Sequence, residues 1–99
     1  MARVRIKLSY YQIIPAMALK VFLYTQVGCL SCELMKLFLE AKDVAFEERD
    51  MSSDAAARVE LLEIYHSCTA PTLVILTPAG AEVIEGFEPD RLDRVLDAA

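Results

Sequence analysis

Two cysteines, Cys29 and Cys32, are separated by only two residues, and a third, Cys68, lies much further along the chain. A close cysteine pair can exchange disulfide bonds, or it can supply two thiolate ligands to a metal centre. Three cysteines are a poor framework for structural disulfides, which small secreted domains usually build from four or more. The pattern therefore indicates redox or metal chemistry in a reducing compartment, and it predicts a cytoplasmic location.

Of these two kinds of chemistry, redox exchange fits the available residues better. A structural zinc site takes four ligands, and beside the pair only His66 and Cys68 are candidates. Zinc sites of this kind usually contain a second close pair, which the sequence lacks. We therefore predict an oxidoreductase that needs no metal or organic cofactor. A binding module that holds a metal ion or an iron–sulfur cluster through the same cysteines stays open as the alternative.

The cysteine pair stands where a predicted strand gives way to a predicted helix. The β-branched and aromatic run at residues 21–25 is typical of a buried strand, and Gly28 supplies a turn into a helix of about a dozen residues. Unpaired amide N–H groups and the dipole at a helix N-terminus stabilise a thiolate. Cys29 lies at the tip, so we predict it as the attacking nucleophile and Cys32 as the resolving thiol.

The rest of the chain alternates between strands and helices. Residues 44–48 predict a strand parallel to the first, residues 72–77 a buried central strand, and residues 82–85 its hairpin partner. We expect the helices to bury three sets of side chains: Leu34, Leu37, Phe38 and Ala41; Val59, Leu61, Leu62 and Ile64; and Leu92, Val95 and Leu96. The order βαβαββα predicts an α/β fold, with a four-stranded mixed sheet and helices on both faces.

Length and charge limit the domain organisation and the partners. The 99 residues suffice for one compact domain, which we assign to residues 19–99, with residues 1–18 as an N-terminal extension. This extension is compatible with an edge strand, a secretory signal peptide or a segment upstream of a start at Met17. The formal net charge is −5, and three of the ten basic residues lie in the first seven positions. The acidic remainder disfavours nucleic acid and membrane surfaces as partners.

Several short motifs follow one another in a specific order between about residue 19 and residue 99. They are Val21-Phe22-Leu23-Tyr24-Thr25 leading to Cys29-x-x-Cys32, then Phe46-Glu47-Glu48-Arg49-Asp50, Thr69-Ala70-Pro71-Thr72 and Gly86-Phe87. In this order they resemble the glutaredoxin branch of the thioredoxin superfamily. The resemblance implies a thioredoxin-like fold, reduction of disulfides in protein substrates, and a cis peptide bond before Pro71, where the backbone of Ala70 would pair with a bound substrate.

The same resemblance predicts a substrate-binding surface next to the cysteine pair. Leu30, between the two cysteines, is expected to be exposed and to offer partners an apolar contact, with a packing role as its alternative. The other expected substrate-binding residues are Thr69, Ala70, Pro71, Gly86 and Phe87.

The chain departs from glutathione-using relatives at several positions, which are Gln26, Ser31, Cys68 and Glu88-Pro89. Cationic groups that would bind the carboxylates of glutathione are therefore missing. The expected electron donor is a thioredoxin reductase-like enzyme or glutathione, and the departures favour the reductase. Cys68 is expected to be a small buried residue at a helix end, with a third redox thiol as the alternative.

Overall fold

The computed structural model describes residues 20–97 of the chain. Four strands and three helices follow one another in the predicted βαβαββα order. Their bounds are β1 Lys20–Thr25, α1 Leu30–Ala41, β2 Glu47–Asp50, α2 Ala55–Tyr65, β3 Thr72–Thr77, β4 Gly80–Glu85 and α3 Pro89–Asp97. The second strand lies further along the chain than the predicted residues 44–48. The helix that follows Cys29 has 12 residues, as expected. The predictions for residues 1–18 lie outside the described part of the chain.

The sheet has the order β2-β1-β3-β4, with β1 parallel to β2 and antiparallel to β3, and β3 and β4 form a hairpin. Thr72, the first residue of β3, pairs with Tyr24 near the end of β1 and with Glu85 at the end of β4. The loop after β1, the loop before β3 and the loop after β4 therefore leave the sheet at one edge. This edge carries the cysteine pair.

Side chains of β1 alternate between two apolar cores because successive residues of a strand point to opposite faces. Val21 and Leu23 lie in the core that α1 and α3 cover, whereas Tyr24 lies in the core beneath α2. The predicted mixed sheet with helices on both faces is thereby confirmed. In α3 the prediction of the buried side also holds, since Leu92 and Leu96 are buried and Val95 packs against them.

The predicted buried sides of the first two helices were wrong in most positions. In α1 the buried residues are Cys32, Met35 and Leu39, with Phe38 half-buried, whereas Leu34, Leu37 and Ala41 are exposed. In α2 the buried residues are Ala57 and Leu61, whereas Val59, Leu62 and Ile64 are exposed. Both helices carry apolar residues on more than one side, so periodicity alone does not decide which side meets the sheet.

Among residues 20–97, no helix has the length and apolar character required to cross a membrane.

Candidate functional site

Cys29 is the N-cap residue of α1, with an extended backbone (φ −104°, ψ 101°). Its Sγ accepts a hydrogen bond from the backbone N–H of Cys32 at 3.1 Å, as a serine or aspartate side chain does at other N-caps. The Cys29 sulfur thus lies against one of the unpaired amide donors of the first turn. A negative charge on this sulfur would be stabilised by that donor and by the helix dipole.

The two cysteines differ in their access to solvent. Their sulfur atoms are joined in a disulfide, with the Cα atoms 5.2 Å apart. Cys29 is half-buried, whereas Cys32 is only 1% exposed and packs on the inner side of α1. An external thiol or disulfide therefore reaches Cys29 more readily than Cys32.

The loop before β3 is held by hydrogen bonds of two side-chain hydroxyls and the backbone of Thr69. The Thr72 hydroxyl donates to the backbone carbonyl of Thr69 and lies 3.1 Å from the Ser67 hydroxyl, which accepts from the N–H of Thr69. Ser67 and Thr72 are buried. These contacts fix the loop immediately before Pro71, which is itself buried and is preceded by a cis peptide bond, as the sequence resemblance implied.

Pro71 is linked to the loop after β4, because its carbonyl accepts a hydrogen bond from the Gly86 N–H at 2.7 Å. Gly86 has a positive φ of 81°, a conformation that glycine adopts without steric cost. The predicted site residues Ala70, Pro71 and Gly86 thus belong to the sheet edge that also carries the cysteines.

The remaining predicted substrate-binding residues differ in their environments. Leu30 is exposed, as predicted, and Thr69 is exposed as well. Phe87 is only partly exposed, and its ring packs edge-on against Phe38 of α1 with the centroids 5.9 Å apart. Phe87 therefore connects α1 to the loop after β4.

Cys68 is an exposed free thiol, so the expectation that it would be buried was wrong. It follows His66, which ends α2 in the left-handed conformation (φ 57°), and Ser67, which turns inward to Thr72. This abrupt end of the helix leaves Cys68 on the surface. In the described part of the chain, no group of three or more histidine, cysteine or carboxylate side chains is arranged to hold a metal ion, so the metal-centre alternative is not favoured.

One polar network beneath α2 was not evident from the sequence. The buried Tyr24 hydroxyl donates to the Glu60 carboxylate, which also accepts from Arg49 at 3.2–3.3 Å. Burial, and then the hydrogen bond to Glu60, raise the pKa of Tyr24 well above its ordinary value. The partners are far apart in sequence, so no local pattern could have revealed the contact.

A second network runs from the end of β1 to the outer part of α1. The buried Thr25 hydroxyl donates to Glu48 at 2.8 Å, and Glu48 lies 3.3 Å from the ammonium of Lys36. Lys36 also pairs with Glu33 at 3.2 Å. The hydrogen bond with Glu33 is the main reason that the pKa of Lys36 lies above its ordinary value. Lys36 is therefore engaged by two carboxylates.

The fold and the cysteine pair at the start of α1 define a thioredoxin-like protein, a class in which a cysteine pair and a cis-proline loop meet at one sheet edge. Residues 21–76 match the family model described as Glutaredoxin, and the chain belongs to that family. The Gene 56 protein of Mycobacterium phage L5 is 30% identical over 77 residues, which cover 78% of this chain and 72% of that protein.

Solved structures agree with this family and fold. The thioredoxin-like protein BC3987 is 44% identical, with a TM-score of 0.70, and the match covers 78% of this chain and all of that one. A glutaredoxin from Archaeoglobus fulgidus has a TM-score of 0.67 over 94% of this chain and 100% of its own, at 19% identity, which is a likeness of fold alone. The family and the adjacent cysteines support a thiol oxidoreductase role.

Proposed function

We propose that this protein is a small dithiol oxidoreductase that reduces disulfide bonds in other proteins. The Cys29 thiolate attacks one sulfur of the substrate disulfide, which forms a mixed disulfide and releases the other substrate sulfur as a thiolate that takes up a proton. The Cys32 thiolate then attacks the Cys29 sulfur and releases the second substrate thiol. The substrate gains two electrons and two protons, and the enzyme is left with the Cys29–Cys32 disulfide.

The position of Cys29 as the N-cap of α1 is the observation that carries this proposal. Its sulfur accepts the Cys32 N–H, so the reactive sulfur is placed at the positive end of a helix of 12 residues. Cys32 is buried beside it, and this difference in access supports Cys29 as the attacking thiol and Cys32 as the resolving thiol.

A reductant must return the disulfide form to the dithiol. We propose a dithiol donor of the thioredoxin reductase kind, because glutathione-using relatives commonly carry a lysine at the position of Gln26 and a basic or polar residue at the position of Cys68. Both residues are exposed. Glutathione would then be a poor donor, since each missing charge-assisted hydrogen bond costs about 1.5–3 kcal/mol. Such a cycle suits a reducing compartment, and we propose the cytoplasm.

Trapping of the mixed disulfide tests the two cysteine roles. Cys32→Ser should still attack a disulfide substrate but should fail to release it, so the covalent adduct should accumulate and be visible by mass spectrometry. Cys29→Ser should form no adduct and should lose the reductase activity. An adduct that accumulates in Cys29→Ser and never in Cys32→Ser would show that the roles are reversed.

A further inference from the structure

Helix α1 carries apolar side chains on both its inner and its outer face. Cys32, Met35 and Leu39 pack against the sheet, yet the opposite side presents Leu30, Leu34 and Leu37, which are 74%, 41% and 62% exposed. The spacings of four and three residues place these leucines in one row along the helix. We call this row of Leu30, Leu34 and Leu37 the α1 stripe. A helix that is apolar on both sides is usually covered on both sides.

The α1 stripe begins at the reactive sulfur. Leu30 directly follows Cys29, and Leu37 lies seven residues further, which is about 10 Å along the helix axis. Val27, two residues before Cys29, is also strongly exposed. A partner that brings a disulfide to Cys29 would therefore meet the α1 stripe.

Carboxylates border the α1 stripe on one side. Glu33 and Glu40 are exposed on α1, at positions neighbouring the leucines. The nearby Lys36 neutralises them only in part, because this single ammonium group pairs with both Glu33 and Glu48. A complementary partner surface would carry apolar side chains with lysine or arginine beside them.

The size of the α1 stripe favours a short-lived contact. A stable protein–protein interface uses about 20–30 residues on each side, many more than these leucines and their neighbours provide. A redox partner must leave after each exchange. A small apolar contact therefore fits a transient redox partner better than a permanent dimer.

We infer that the α1 stripe docks the disulfide-bearing protein that exchanges with Cys29, and that this partner offers an apolar surface flanked by basic residues. The inference rests on the proposed function and names the class of substrate that the site prefers. It places substrate recognition on the outer side of α1, in addition to the loop that contains Pro71.

Three disulfide probes test the inference with the full chain and dithiothreitol as the reductant. The first is hydroxyethyl disulfide, which is too small to reach Leu37. The second is a peptide of about twelve residues whose cysteine is linked to free cysteine and is followed by leucines and lysines. The third is the same peptide with glutamate in place of each lysine. The rate of reduction is followed by chromatography of the released thiols.

The test variant is Leu34→Gln with Leu37→Gln, and the matched control is Val59→Gln with Leu62→Gln on α2. The control residues are similarly exposed, at 58% and 51%, and they lie on a different helix. Glutamine is a good helix former, so both variants should keep their helices, which far-ultraviolet circular dichroism checks.

With the lysine peptide, the test variant should lose about tenfold in kcat/KM, as expected for partial loss of two leucine contacts. Hydroxyethyl disulfide should be reduced at the parental rate by both variants, and the glutamate peptide should be a poorer substrate than the lysine peptide for the parent protein. A uniform loss with all probes would indicate damage to the cysteine site and would overturn the docking inference.

Other occupants of the α1 stripe give different results. Equal rates with the lysine peptide for the parent and the test variant would overturn the inference. So would a concentration-dependent dimer, seen by sedimentation in the parent and absent in the test variant, because a second copy would then cover the stripe. Failure of the parent with every disulfide probe, including hydroxyethyl disulfide, would instead contradict the proposed function.

Discussion

Replacing Tyr24 by phenylalanine should remove a pH-dependent part of the stability of the fold. The Tyr24 side chain is fully buried, and its hydroxyl donates to Glu60, which Arg49 also binds. Burial is the largest cause of the raised pKa of Tyr24, and the hydrogen bond to Glu60 is the next. The folded protein therefore holds the phenolic proton more tightly than the unfolded chain does.

The sign of the effect follows from this difference in proton binding. Tyr24 makes its full contribution to stability below the unfolded pKa of about 10, and the contribution falls as the pH rises above that value. Where the unfolded chain has lost this proton and the folded protein has kept it, the free energy of unfolding falls by about 1.4 kcal/mol per pH unit. The pKa of Lys36 is also raised, chiefly by its hydrogen bond with Glu33, and this too lowers the stability at high pH. Because Lys36 is present in the parent and in each variant, its contribution cancels when their slopes are compared.

Urea unfolding between about pH 8 and about pH 11.5, followed by circular dichroism, measures this slope. Above pH 10, the parent should lose stability more steeply than Tyr24→Phe, by about 1 kcal/mol per pH unit. At pH 7, Tyr24→Phe should be less stable than the parent by about 1.5 kcal/mol, which is the lower end of the range for a hydrogen bond to a charged group. The lower end applies because Arg49 still binds Glu60 after the tyrosine hydroxyl is removed.

Tyr65→Phe is the matched control, since its ring lies 6.2 Å from that of Tyr24 and is half-buried. It should keep the steep alkaline slope of the parent. Identical slopes in the parent and Tyr24→Phe would refute the reasoning, because the buried phenol would then bind its proton no more tightly in the folded state.

The remaining predictions concern the cysteine site and its loop. Cys68→Ser should reduce insulin disulfides at a rate close to the parent, because Cys29 and Cys32 complete the exchange, and a loss comparable to that of Cys29→Ser would bring Cys68 into the mechanism. Thr72→Val should lower the free energy of unfolding by about 1–3 kcal/mol, since it removes a buried hydroxyl that donates to the Thr69 carbonyl, and an unchanged urea midpoint would contradict this role. NADPH consumption should be faster with a thioredoxin reductase than in a glutathione-coupled assay, and efficient turnover with glutathione alone would reject the proposed donor.

The location of the cysteine pair was predictable from the sequence because its signals are local. A β-branched run followed by glycine and an apolar helical segment determines where a strand ends and a helix begins, so Cys29 and Cys32 could be assigned to a helix N-terminus. The alternation of strands and helices likewise predicted the order of the elements. The cis bond before Pro71 followed from the family resemblance rather than from the residues alone.

The exposed sides of α1 and α2 were decided only by tertiary packing. Leu34 and Met35 are both apolar and adjacent in sequence, and only the approach of the helix to the sheet makes one exposed and the other buried. Tyr24 meets Glu60, and Thr25 meets Glu48, because the fold brings together positions that are distant in the chain. Cys68 is exposed in the loop that follows the end of α2 at His66, whereas its residue type alone favours burial. Local sequence thus determined the order of the elements and the position of the cysteine pair, and long-range contacts determined which side chains the folded protein exposes.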